Sequence, residues 1–86
     1  MAMQTLCTLL RNPQCILQNI NIAGNNLSNE HFDLLHISLL NNKILRGLDM
    51  RSNPGYDKNS KVTDDIESII HRNEYQARKP SEFGDE

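Results

Sequence analysis

No charge of one sign dominates this chain of 86 residues. Nine Lys and Arg stand against eleven Asp and Glu, for a net charge of −2 and a pI of about 5.9. That argues against the basic footprint of a nucleic-acid-binding surface. Arg72, Arg78 and Lys79 form a thin basic patch, but Glu82, Asp85 and Glu86 follow at once, and the segment reads as a solvated tail. Long hydrophobic runs are missing too. None approaches the roughly 18 apolar residues of a membrane span. The N-terminus carries Leu6, Leu9 and Leu10 without a basic leader or a cleavage site, so it does not read as a secretory signal. Cysteine is scarce. Cys7 and Cys15 have neither zinc spacing nor the makings of a disulfide framework. Cys15 reads as a small buried apolar residue, and a reducing, cytoplasmic location is expected. The sequon Asn26-Leu27-Ser28 would go unused there.

Catalytic signatures are also lacking. His31 and His36 are five residues apart, on different faces of any helix, and His71 is remote in sequence, so a shared metal is not expected. Asp64-Asp65 follow Thr63, where helix capping and dipole compensation explain them more simply than a metal or acid pair. No nucleophile–base arrangement is legible. Asn53-Pro54-Gly55-Tyr56 is a turn signal, not a phosphate loop. The expectation is a chain that is not an enzyme, with no cofactor and with no nucleic-acid, membrane or small-molecule partner.

What the chain does contain is a pattern written twice. Leu17-x-x-Ile20-x-Ile22-x-x-Asn25 returns 28 residues later as Leu45-x-x-Leu48-x-Met50-x-x-Asn53. A fixed period of this length marks units that bury their apolar edges against one another. Side chains alternate along a strand. Ile20 and Ile22 therefore point inward with Leu48 and Met50, while Asn19, Asn21 and Ala23 face out beside Gly47, Asp49 and Arg51. Leu17 and Leu45 turn inward at the corners. Parallel strands need a crossover, and residues 29–42 supply a helical one. Phe32, Leu35, Leu39 and Leu40 recur at helical spacing, and Leu34 and Ile37 are expected to widen the stripe. Ser28 is the expected N-cap, with Glu30 in the first turn. Asn41-Asn42 is the expected stop, through the left-handed conformation that Asn tolerates. Asn25 and Asn53 follow the strands, where a buried amide can serve backbone groups left without partners. Stacked, the two would form an asparagine ladder.

The stretch from Leu17 through Asn25 to Leu27 resembles the L-x-x-L-x-L-x-x-N-x-L core of leucine-rich repeats. The period of 28 and the long helical return are similar to the ribonuclease-inhibitor-like subclass. Leu9-Leu10-Arg11-Asn12 resembles Leu39-Leu40-Asn41-Asn42, so residues 3–12 look like the helix of a preceding repeat. Ile66, Ile69, Ile70 and Asn73 resemble a third helix, with about three residues inserted around 56–61. The resemblance implies an α/β leucine-rich-repeat solenoid fragment: about two strand–helix repeats with a preceding helix and parallel strands. It spans residues 3–73 and leaves 74–86 as a polar tail, disordered or docked on a partner. Several features depart from the pattern. Gly55 stands where Leu27 stands in the first copy, Pro54 precedes it, the second connection is longer and polar, and no third strand follows Asn73.

So short an array leaves stacking faces bare, and the face around Leu6, Leu9 and Leu10 is expected to meet an adjoining array, a second copy or a larger assembly. The outward strand face is the expected protein-binding surface, formed by Gln18, Asn19, Asn21, Arg46, Asp49 and Arg51. Arg46 and Arg51 flanking Asp49 suit an acidic or polar partner, or else Arg51 and Asp49 merely keep an exposed sheet in solution and pair weakly with each other. The resemblance implies a non-catalytic interaction module of an intracellular assembly, cytoskeletal and ciliary scaffolds being examples. The alternative is a terminal capping piece of a longer array.

Overall fold

The computed structural model describes residues 3–56 and 61–78. Five elements follow one another: α1 (Met3–Arg11), β1 (Asn19–Asn21), α2 (Asn29–Leu39), β2 (Gly47–Asp49) and α3 (Lys61–Arg78). This is a small mixed helix–strand fold with three helices and one two-stranded parallel sheet. The strands pair Asn19 with Gly47, Ile20 with Leu48 and Asn21 with Asp49, the 28-residue offset of the written pattern. The ladder runs beyond the strands themselves: Gln18 O accepts from the amides of Arg46 and Gly47, and Gly24 N–H donates to Arg51 O.

α2 lies between α1 and α3, and the three helices share one core with the inner side of the sheet. Met3, Cys7 and Leu10 are the buried stripe of α1; Phe32, Leu35 and Leu39 that of α2; Ile66 and Ile70 that of α3. Ile22 and Met50 are buried as the alternation requires, Leu45 is buried at its corner, and Leu17, Ile20 and Leu48 pack partly buried at the rim. Cys15 is buried, and both cysteines are free.

The helix boundaries have identifiable causes. Ser28 caps α2, and its backbone N–H donates to Nδ1 of His31 at 2.9 Å. That bond leaves Nδ1 as an acceptor, which is a role for His31 that spacing alone does not show. Glu30 in the first turn has its pKa lowered by backbone and Ser28 hydrogen bonds. α2 ends in a tightened turn, Leu40 N–H to Ile37 O. The expected left-handed stop at Asn41-Asn42 is not formed, since among described non-glycine residues only Asn26 and Ser52 have positive φ. Asn42 instead accepts from the amides of Ile44 and Leu45 through Oδ1. Asn12 ends α1 the same way, accepting from Gln14 N–H.

Other expectations are corrected. Leu34, Ile37 and Leu40 do not widen the buried stripe of α2; they are exposed on the side away from the core. Ser38 takes the inner position, and its hydroxyl is satisfied by donating to Leu34 O. Leu10 is only 1% exposed and Leu6 packs against the core, so of the supposed bare N-terminal trio only Leu9 is exposed. α3 begins at Lys61, which puts the buried Thr63 inside its first turn and not at its cap. It also runs to Arg78 and does not end near Asn73, so residues 74–78 are helix and not tail. The remainder of the expected tail, 79–86, lies outside the described residues.

The turns after the strands repeat as well. Gly24 and Ser52, 28 apart, both adopt left-handed φ, of +71° and +62°. The copies diverge two residues later. Asn26 has φ +58°, and Pro54 at the equivalent place is locked at negative φ. Gly55 then comes against the first loop: a Cβ there would lie 2.5 Å from the Ser28 carbonyl carbon and 2.7 Å from the Phe32 ring. Close approach of backbone to backbone explains why glycine replaces the leucine of the first copy.

Candidate protein-interaction face

Alternation along two short paired strands sets one side-chain row outward. Gln18, Asn19 and Asn21 are exposed on β1 and its approach. Arg46 and Asp49 are half-buried on β2, and Arg51 is exposed just beyond it. The register sets Asn19 beside Gly47 and Asn21 beside Asp49, so these expected residues share one surface. Asn19, Asn21, Asp49 and Arg51 border an open hollow of about 570 Å³ that also takes in Tyr56 and Glu67 from the C-terminal side; Gln18 and Arg46 are not among its lining residues.

Several of these side chains are already engaged. Asn21 Oδ1 accepts from Ala23 N–H at 2.9 Å, and Asp49 Oδ1 accepts from Arg51 N–H at 3.2 Å. The same side-chain-to-backbone turn therefore closes both strand exits. Arg51 also forks onto Asp49, Nε to Oδ1 and Nη2 to Oδ2, each at 2.9 Å. The Arg51 side-chain bonds, then its backbone bond, lower the Asp49 pKa to about 2. Arg46 Nε donates to Glu74 Oε1 at 2.9 Å, and Glu74 also meets Arg78 at 2.7 Å. Both arginines are thus paired within the chain: Arg51 with Asp49, as the solubilising alternative expects, and Arg46 with Glu74, a pairing not expected from the sequence. What the face offers instead is amide and carboxamide: Asn19 and Gln18 make no side-chain hydrogen bond among the described residues.

Tyr56 and Glu67 were not anticipated in the sequence. Tyr56 OH donates to Glu67 Oε2 at 3.3 Å, and its pKa is raised by burial first and then by the Glu67 charge. The two are eleven residues apart on different elements, and no local pattern links them.

The asparagine ladder is present with different members. Asn53 is buried and makes five hydrogen bonds. Its Oδ1 accepts from Asn25 N–H (2.8 Å) and Leu27 N–H (3.1 Å). Its Nδ2 lies within bonding distance of the carbonyls of Ile22, Met50 and Arg51. Asn25 is not its stacked counterpart. That side chain is exposed and donates only to Ala23 O, at 3.2 Å. The other buried members are Asn42, whose Nδ2 donates to Leu10 O, and Asn73, whose Nδ2 reaches the carbonyls of Asn42 and Leu45. The repeated Leu-Leu-x-Asn of 9–12 and 39–42 was the available signal for Asn42.

Among the described residues no three His, Cys, Asp or Glu side chains converge to hold a metal, and no helix is long and apolar enough to cross a membrane. Comparison with protein-family models, with curated proteins and with solved structures finds no match.

Proposed function

We propose that this chain is a leucine-rich-repeat-like solenoid fragment that acts as a non-catalytic protein-interaction module, through the outward face of its sheet. One observation carries the reading: a parallel sheet whose inner side shares a core with the helices and whose other side is an open hollow of mixed lining, with Asn19, Asn21, Asp49, Arg51, Tyr56 and Glu67 beside Ile20, Leu48 and Met50. Parallel sheets are ordinarily covered on both faces. An uncovered one with unengaged amides is a surface suited to a polar protein partner. A cytoplasmic assembly, cytoskeletal or ciliary, is the setting that the resemblance suggests.

The test uses the intact chain as bait, with Asn19→Arg/Arg51→Ala as the comparison. Both side chains are exposed and outside the core, so urea unfolding should be little changed. Proteins retained by the native chain and lost by the variant support the reading. An identical retained set from both removes it.

A second reading is favoured by α3. It passes Asn73 without turning into a third strand, and Arg46–Glu74–Arg78 closes over the entry to β2. On that reading the chain is the capping piece of a longer array. Face variants would then lose nothing, whereas truncation after Asn73 would bare the β2 side and promote association in sedimentation velocity.

A further inference from the structure

The two copies of the pattern use the same side chain differently, and the difference points to the outer edge of β1. Asn53 reaches back one copy: three of its five bonds go to residues 22, 25 and 27. Its bond to Arg51 O, at 3.2 Å, matches the Asn25 bond to Ala23 O, also at 3.2 Å. The bonds to a neighbouring copy have no counterpart at Asn25. The helix ends show the same asymmetry. Asn42 and Asn73 each donate from Nδ2 to the unit before, while Asn12 engages only its own turn, through Oδ1.

The backbone on this side is open as well. Ile22 N–H donates to Asp49 O. In a parallel pair alternate residues face opposite edges, so the amides of Asn19 and Asn21 face away from β2. Edge strands are usually guarded by charge, yet no charged residue occurs between Asn12 and Asn29. Ile16, at the entry to this strand, is 84% exposed.

We infer that the free edge of β1 is a docking site for an uncharged extended segment of another polypeptide, added parallel to β1 with two of its amides on Asn25 Oδ1. The inference rests on the stacked-repeat reading above, and it concerns the sheet edge and not the outward face. The occupant's chemistry follows from the pair already present, in which β1 and its turn fill that role toward Asn53. Lack of charge on the edge favours an uncharged partner, because a buried unpaired charge is costly. Parallel direction follows from Asn53, which takes amides from the turn after the neighbouring strand. An antiparallel β1–β1 pairing of two copies would put a strand entry there instead and leave Asn25 unfilled.

The probe is a synthetic peptide with the sequence of residues 17–28, titrated into the isotope-labelled full chain and followed by NMR and amide exchange. The expected result is protection of the Asn19 and Asn21 amides and a shift of the Asn25 carboxamide. Asn25→Ala, which removes only one surface bond from the chain itself, should weaken binding about tenfold. N-methylation of the peptide nitrogens corresponding to Asn25 and Leu27 should weaken it at least as much. The inference is overturned by a peptide that leaves Asn25 unshifted, or by Asn25→Ala binding as well as the native chain. Shifts confined to Asp49, Arg51 and Tyr56 would also overturn it while leaving the outward-face reading intact.

Discussion

Asn25 and Asn53 occupy one place in the repeated pattern and share one local bond, to the carbonyl two residues before, but their surroundings differ. Asn53 is buried and joins the turns of both copies, and Asn25 sits in solvent with one bond to its own turn. The edges behind them differ in the same way. The β2 side is closed by α3, with Asn73 on Leu45 O and Glu74 on Arg46, while beside β1 no charged residue occurs between Asn12 and Asn29 and, among the described residues, no helix side chain bonds to the strand. A side chain at a repeat position therefore has no fixed energetic value. Its worth depends on whether a neighbouring copy supplies backbone groups that would otherwise be buried without partners.

The largest expected effect tests that claim directly. Asn53→Ala strands the amides of Asn25 and Leu27 and the carbonyls of Ile22 and Met50, and should cost about 3–5 kcal/mol in urea unfolding. Asn25→Ala should fall within about 0.5 kcal/mol of the native chain. Equal costs would break the comparison. Gly55→Ala comes next. Its Cβ would press on the Ser28 carbonyl and the Phe32 ring, and an overpacking loss of about 2 kcal/mol is expected, read as a lower urea midpoint. At the paired left-handed positions, Ser52→Gly should raise stability by up to about 1 kcal/mol, because the second copy carries a side chain where the first has Gly24. A smaller effect is set by pH. The Asp49 pKa is lowered from 3.8 to about 2, so its contribution is present above pH 3.8 and disappears as pH falls through about 2. The thermal midpoints of the native chain and Asp49→Asn should accordingly converge as the pH approaches 2. A gap that persists in acid would show that the charge on Asp49 is irrelevant to the strand exit.

Much of this fold was legible along the chain. The strand register was written as a period of 28, and inward Ile22 and Met50 followed from alternation. Ser28 declared the start of α2. The width of the α2 stripe was not legible. Leu34 and Ile37 are as apolar as Leu35, and only the placement of α2 between α1 and α3 decides which of them face inward. The outward row was legible as a row but not as a set of free groups. The Arg46–Glu74 bond spans 28 residues, and it exists only because α3 continues past Asn73.

By itself the sequence determined the periodic order of elements, the inner residues of each strand and the places where backbone must turn. Those follow from alternation, helical spacing and local side-chain bonds, all of which act within a few residues. Tertiary structure decided which asparagines are buried, which arginines are paired and which sheet edge stays open. Each depends on the groups that a distant segment brings within about 3 Å, a hydrogen-bond length, and short-range pattern carries no record of that distance.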